Sequence, residues 1–224
     1  LTYHLLPELS LKGTAAYKLY YGETHDMHKA IQYDGTYNQG TVDKLSENIY
    51  RDDRISADIL LTYDKSFAKV HNLKAMAGYH AELYRNNGIT GYRDNFANSN
   101  LYDLDAASAQ NMTNKGNSVK FSMLSYFGRV NYDYMGKYLF EADLRYDGTS
   151  RFASGHHWGM FPSFSAGWRI SEEKFFEPLR NVVDNVKIRA SWGQLGNQDI
   201  TGYYPTVATL SLGQNYPFGG SIQT

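Results

Sequence analysis

The chain has 224 residues, 42% hydrophobic and 15% aromatic, with 20 Tyr and a formal net charge of -1. Its mean hydropathy of -0.53, and the lack of any apolar run near the roughly 18 residues that a membrane helix needs, exclude a helical membrane protein. Near-neutral charge gives no bulk electrostatic argument for nucleic acid or anionic lipid, and zero cysteines remove disulfides, thiolate catalysis and Cys-based zinc sites together.

A transmembrane β-barrel survives these tests, because its wet face and loops dilute the average hydropathy. Length alone allows one large domain or two small ones. The chain opens on LTYHLLPELS, without Met, a basic n-region or an apolar h-region. It is therefore expected to be an internal piece of a longer polypeptide.

Seven strands are predicted from a period-two alternation, which sends successive side chains to opposite faces. The first runs from about Leu9 to Tyr21, with Leu9, Leu11, Ala15, Tyr17 and Leu19 opposite Ser10, Lys12, Thr14 and Lys18. The second, about Ile55 to Tyr63, sets Ile55, Ala57, Ile59 and Leu61 against Ser56, Asp58 and Thr62. The third, about Leu73 to Leu83, alternates Leu73, Ala75, Ala77, Tyr79 and Ala81 with Lys74, His80 and Glu82.

The fourth, about Val119 to Tyr134, ends with Val130, Tyr132 and Tyr134 against Arg129, Asn131 and Asp133. Gly128 is expected to mark a bend or phase slip there. The fifth is the clearest: Tyr138, Phe140, Ala142, Leu144 and Tyr146 on one face, Glu141, Asp143, Arg145 and Asp147 on the other. The sixth, about Gly159 to Ile170, sets Phe164, Ala166, Trp168 and Ile170 opposite Ser163, Ser165, Gly167 and Arg169. The seventh, about Val186 to Trp192, sets Val186, Ile188, Ala190 and Trp192 opposite Lys187, Arg189 and Ser191.

The connections alternate in length. Asp64 to Val70 and Met135-Gly136-Lys137 are short, and SEEKFFEPL reads as a short helix with Ser171 as its N-cap. The opposite ends carry Gly22 to Arg54, Arg85 to Ser118, Asp147 to Trp158 and the segment from Gln194 onward, all expected as long loops. Short turns at one end and long loops at the other are the arrangement of transmembrane barrels. Eleven residues from Leu9 to Leu19 extend about 36 Å, or roughly 25 Å of membrane normal at a tilt of about 45°. Strands of soluble sandwiches average only about five or six residues.

The segments SYFGRVNYDYMGKYLFEADLRYDGTSRF, WGMFPSFSAGWRISEEKFF and VDNVKIRASWGQLGNQDI resemble the SusC/RagA family of TonB-dependent outer-membrane transporters. The resemblance is dense over Ser118 to Tyr204. It is looser over Leu1 to Arg85, where YDKSF followed by His71 still fits. It implies an all-β fold: residues 1–224 would supply about seven strands of an antiparallel barrel of roughly 22, plugged by a domain absent from this chain. Seven strands cannot close a barrel, and unpaired edges in lipid are forbidden, so further strands must come from the same polypeptide. The resemblance further implies the outer membrane of a Bacteroidota-type bacterium and import of glycans or oligopeptides. A SusD-like lipoprotein would act as a lid, and TonB would drive transport through the plug.

Within that frame Lys74, Glu82, Arg129, Glu141, Asp143, Arg145, Asp147, Arg169, Lys187 and Arg189 are expected to face an aqueous lumen. Tyr92, Tyr102, Arg151, Trp158 and Tyr203, with Tyr33, Tyr37 and Tyr84, are loop candidates for touching substrate or lid. RYDGTSRF places Arg145, Asp147 and Arg151 around Gly148 at a strand end, as a cluster at the mouth or as a turn and ion-pair network. Glu141, Asp143 and Asp147 have the spacing of any charged strand face and do not argue for a glycosidase pair. His25 with His28, and His156 with His157, lack the fixed partner spacing of a metal site, and GQLGNQ lacks the strand–GxGxxG–helix context. No cofactor and no enzymatic role are expected. Strand-end aromatics such as Tyr134, Tyr138, Trp168 and Trp192 read as an interfacial girdle. The rival reading is a soluble or surface-attached β-sheet protein that binds glycan, with its apolar face buried against itself.

Overall fold

The computed structural model describes residues 1–32, 38, 39, 42–98, 100–198, 204, 216–218 and 221–223. Eight of its strands form one antiparallel sheet in chain order. They are β1 (Thr2–Leu6), β2 (Leu9–His28), β3 (Lys44–Phe67), β4 (His71–Phe96), β5 (Ala107–Tyr134), β6 (Tyr138–Thr149), β7 (Trp158–Arg169) and β8 (Lys187–Gly193). Two small two-stranded pairs, Ile31–Gln32 with Asn38–Gln39 and Tyr216–Phe218 with Ser221–Gln223, lie outside it.

Each of the seven predicted strands coincides with one of these, except that Ile170 and Val186 fall one residue outside β7 and β8, and β1 is the strand of this sheet that the alternation did not predict. The expected loops Gly22 to Arg54 and Arg85 to Ser118 are corrected. β2 and β3 continue their pairing to His28 and Lys44, and β4 and β5 continue theirs to Phe96 and Ala107. Strands β2 to β5 are 20, 24, 26 and 28 residues long. They outrun the apolar band because they form tall hairpins, not loops. Gly128 marks no slip, since its pairing runs unbroken to Ala77 and to Leu144. The register shifts instead near Asp94 and near His4 to Leu6. The segment expected as a helix after β7 is not α-helical: Ile170–Glu172 and Lys174–Leu179 are 3₁₀ segments, and Ser171 lies inside the first with 1% exposure. Pro178 has no N–H to continue a helical ladder.

The turn Tyr134 to Lys137 follows from its residues. Met135 and Gly136 both have positive φ, 57° and 69°, the backbone that tight hairpins demand. The Asp133 carboxylate accepts the Gly136 N–H at 2.8 Å and fixes the turn.

Register carries the two faces across the whole sheet. One face runs Tyr3–Leu11–Leu61–Ala77–Gly128–Leu144–Pro162, and the parallel row Gly13–Ile59–Tyr79–Tyr126–Tyr146–Met160 lies beside it. Nothing covers this apolar face among the described residues: Ile59 is 52% exposed, Phe140 52% and Phe164 54%. Among all the described residues the buried apolar ones are only Leu45, Ala107 and Phe121, so these residues form no packed second layer on the sheet. A soluble sandwich would show one. Aromatic pairs brace the uncovered face, with Tyr146 stacked on Trp158 at 4.7 Å and Phe164 on Trp192 at 6.2 Å.

The apolar rows end at a common level. On β4 the outward residues run from Leu73 to Leu83 and then change to Arg85 and Asn87; on β3 they run up to Ile55 and then change to Asp53 and Arg51. Eleven residues from Leu73 to Leu83 correspond to roughly 25 Å of tilted strand height, the apolar band of a transmembrane barrel.

Candidate functional site

The second face is polar and carries the charges. Register places Lys74, Glu82, Arg129, Glu141, Asp143, Arg145, Asp147, Lys187 and Arg189 together on it, alternating with the apolar rows. Most of the charges are paired, across strands or along one strand. Arg129 binds the Asp143 carboxylate, which also accepts the Ser163 hydroxyl at 3.3 Å. Arg145 grips Asp147 through two hydrogen bonds of 3.0 and 3.2 Å, with its guanidinium 5.3 Å from the centre of the Phe127 ring. Glu82 meets Arg54 at 3.7 Å, Lys74 meets Asp64 at 3.5 Å, and Glu141 meets Arg189 at 4.0 Å.

Asp58, His80 and Arg54 on this face were not among the expected lumen residues. Asp58 and His80 form a 2.6 Å contact, and Arg54 stacks over Tyr84 at 5.5 Å. Tyr84 lies in β4, not in a loop, 4.9 Å from Phe121. The signal that could have found them is register: starting from the turn at Met135 and Gly136, residue-by-residue pairing assigns the face of every position on β5 and β6.

The remaining candidates scatter. Arg169 shares the polar face opposite Lys187, but lies at the short-turn end, where it donates to the Gly136 carbonyl at 3.1 Å and to Glu172 at 3.1 Å. Tyr92 sits within β4 on the polar face, its hydroxyl donating to Asp94 at 3.3 Å. Trp158 opens β7 on the apolar face opposite Gly148, and so belongs with the aromatic rows rather than a loop. Tyr102 lies between β4 and β5, with the Lys29 ammonium 5.0 Å from its ring centre. That contact raises the Lys29 pKa above its ordinary value, through the hydrogen bond to Tyr102 first.

Arg151 lies just beyond β6, 4.2 Å over Phe121, and donates to the Gln198 carbonyl at 3.3 Å. The residues expected to cluster around Gly148 therefore form two separate contacts, Arg145 with Asp147 and Arg151 with Phe121. Tyr33, Tyr37 and Tyr203 lie outside the described residues. His25 contacts Glu47 at 3.0 Å and His28 contacts Asp26 at 3.5 Å. No group of three metal-ligating side chains occurs among the described residues.

At the short-turn end, Glu173 gathers the rim. Its carboxylate accepts the Tyr138 hydroxyl at 2.7 Å, the Trp168 indole N–H at 3.2 Å and the Lys137 ammonium at 3.2 Å. These hydrogen bonds, the Tyr138 one foremost, hold its pKa below the ordinary glutamate value. The girdle aromatics Tyr138 and Trp168 are thus tied by their polar tips, as expected at a membrane interface.

Residues 1–223 match the protein family described as TonB dependent receptor-like, beta-barrel. The chain is 28% identical over 222 residues to the TonB-dependent receptor SusC of Bacteroides thetaiotaomicron, covering 97% of this chain and 21% of that protein. It is 34% identical over 174 residues to the TonB-dependent receptor P3 of Formosa agariphila, covering 77% of this chain and 16% of that one. Among solved structures it superposes on the RagAB peptide transporter with a TM-score of 0.79 at 23% identity, covering 98% of this chain and 24% of that one. On the closed-closed state of the RagAB peptide importer the TM-score is 0.81 at 22% identity. The chain thus spans about a sixth to a quarter of these relatives. An open eight-stranded antiparallel sheet with an uncovered apolar band and a charge-paired polar face is wall, not a closed domain, and the chain belongs to the SusC/RagA family of TonB-dependent receptors as part of a transmembrane β-barrel.

Proposed function

We propose that the full protein imports nutrient oligomers, glycans or oligopeptides, across the outer membrane of a Bacteroidota-type bacterium. In this reading a SusD-like lipoprotein closes the outer mouth and TonB drives the transport step. The observation that carries it is the division of the sheet into an apolar band without a covering layer and a face of paired opposite charges. No observation favours the soluble glycan-binding alternative, which needs that apolar face buried.

The polar face then lines the lumen. Pairing matters there, because an uncompensated charge would hold a passing oligomer or its counter-ion. Half-exposed pairs such as Arg129 with Asp143 and Arg189 with Glu141 are worth only about 0–1 kcal/mol each. They open readily and exchange hydrogen bonds with a moving polar cargo. Arg145 with Asp147, stiffened over Phe127, gives a more fixed contact. The tall hairpins of β2 to β5 carry Tyr92 and reach the segment of Tyr102. They are the surfaces on which a lid protein would rest.

The test is uptake by cells carrying the full-length protein, supplied in parallel with labelled oligosaccharides and oligopeptides. Arg129→Ala with Arg145→Ala is expected to lower uptake several-fold at unchanged outer-membrane level, and loss of TonB to abolish it. Uptake that persists undiminished without TonB would overturn the reading.

A further inference from the structure

We propose that the outward face directly above the apolar band binds the phosphate of an anionic glycolipid in the outer leaflet, through Arg85 and Lys120. Near-zero net charge gives no bulk attraction to such lipids, so the inference is local. It rests on the sheet lying in a bilayer with its tall hairpins outward, and not on which cargo is carried.

The last apolar row is Tyr17–Ile55–Leu83–Ser122. The next row up, on the same outward face, is Leu19–Asp53–Arg85–Lys120. Arg85 and Lys120 are direct cross-strand partners, which sets two like charges side by side, an arrangement that disfavours the sheet unless an anion joins it. Both are exposed, and among the described residues neither side chain makes a hydrogen bond or a close ion pair, although Arg85 lies near enough to Asp53 to act on it electrostatically. The acid beside them is already engaged: Asp53 is 8% exposed, accepts the Tyr17 hydroxyl at 2.5 Å and takes two hydrogen bonds from Arg51 at 2.9 and 3.2 Å.

With Arg51, Arg85 and Lys120 against Asp53, the local balance is three positive charges to one negative, a surplus of two. Several cations elsewhere on the sheet do find acids, the arginines above all. Lys65, outward at the opposite end, contacts Glu8 at 3.2 Å, and the polar-face arginines are paired as described.

Position then selects the ligand. The surplus lies where the apolar band stops, which is the level of lipid headgroups. Arg85 offers a planar fork suited to phosphate and Lys120 a compact charge beside it. Ile55, 46% exposed, and Leu19, 51% exposed, flank the site below and beside it and can hold an acyl chain. A free anion would use only the charges. A phosphorylated lipid uses both.

The experiment is native mass spectrometry of the full-length transporter in detergent, with monophosphorylated lipid A, its dephosphorylated form and inorganic phosphate as probes. The parent is expected to prefer the phosphorylated lipid on the order of tenfold. Arg85→Gln with Lys120→Gln should erase that preference, while Lys115→Gln, which removes one charge from the opposite face of the same hairpin, should keep it. Heat-modifiable gel mobility checks folding of each variant; if the double variant does not fold, Lys120→Gln alone is read and should weaken the preference. An unchanged preference in these variants, or equal binding of the dephosphorylated lipid by the parent, overturns the proposal. Displacement of the lipid by millimolar inorganic phosphate also overturns it, by assigning the site to a free anion.

Discussion

Leu61 and Thr62 are adjacent on β3 and so lie at nearly the same depth, yet register sends them to opposite faces. Leu61 pairs with Leu11 and Ala77 in the apolar rows, whereas Thr62 pairs with Ser10 and Met76 on the polar face. Leu61→Arg therefore forces a guanidinium against acyl chains near mid-band, at a cost of about 2–4 kcal/mol. Thr62→Arg adds a charge to a surface that already carries Lys74, Asp64 and Asp58, and is expected to cost less than about 0.5–1 kcal/mol. The difference, about 2 kcal/mol, is roughly a thirtyfold shift in the folded-to-unfolded ratio. Full-length protein folded into liposomes across a urea series, with folded fraction read by gel mobility, measures both variants at once. Equal destabilisation of the two, or a larger loss for Thr62→Arg, would refute the assignment of faces.

Glu173 gives a pH dependence. Its pKa is lowered in the fold, so its stabilising contribution is complete above the unfolded glutamate pKa and fades as pH falls through the lower native value. Parent protein should lose thermal stability on acidification more steeply than Glu173→Gln, with the gap between them largest near neutral pH, as a melting series from pH 7 to pH 3 would report. Gly78 gives a packing test, because the Phe127 ring occupies the place a Cβ would take, an aromatic-over-glycine pairing that pins register. Gly78→Val should displace that ring at a cost of about 1–3 kcal/mol in the same urea assay, whereas Gly13→Val, with open space around it, should fall well below that.

The band itself was legible because its two faces meet different media. From Leu73 to Leu83 and from Tyr138 to Tyr146 every second residue is apolar, with only Met76 and Leu139 as large apolar residues on the polar side, and there the strands and their faces follow from the residues alone. Above the band, Arg85, Asn87, Ile89 and Gly91 on one face alternate with Asn86, Gly88 and Thr90 on the other. Apart from Ile89, both faces are polar or small, the period-two signal vanishes, and strand reads as loop.

Phe121, Phe127 and Phe161 blur the pattern from the other side. They are aromatic yet sit on the polar face, because they cover glycines or brace arginines rather than touch lipid. Ser171 failed as a helix cap for a related reason: its local signal was right for a turn, but Pro178 and the packing of Arg180 on the Ser171 carbonyl at 2.9 Å hold the segment in 3₁₀ turns. Of the site, the identity of the charged residues was legible and their partners were not, since partnership depends on cross-strand register.

The central claim is that Ile59, Leu61 and Tyr63 touch lipid while Asp58, Leu60 and Thr62 face water. The chain has no cysteine, so single cysteines placed at these six positions, in a cysteine-free full-length background, can be read in liposomes with a membrane-impermeant maleimide. Labelling should alternate strictly, fast at 58, 60 and 62 and slow at 59, 61 and 63. Uniform labelling along the strand, or the opposite phase, would contradict the account.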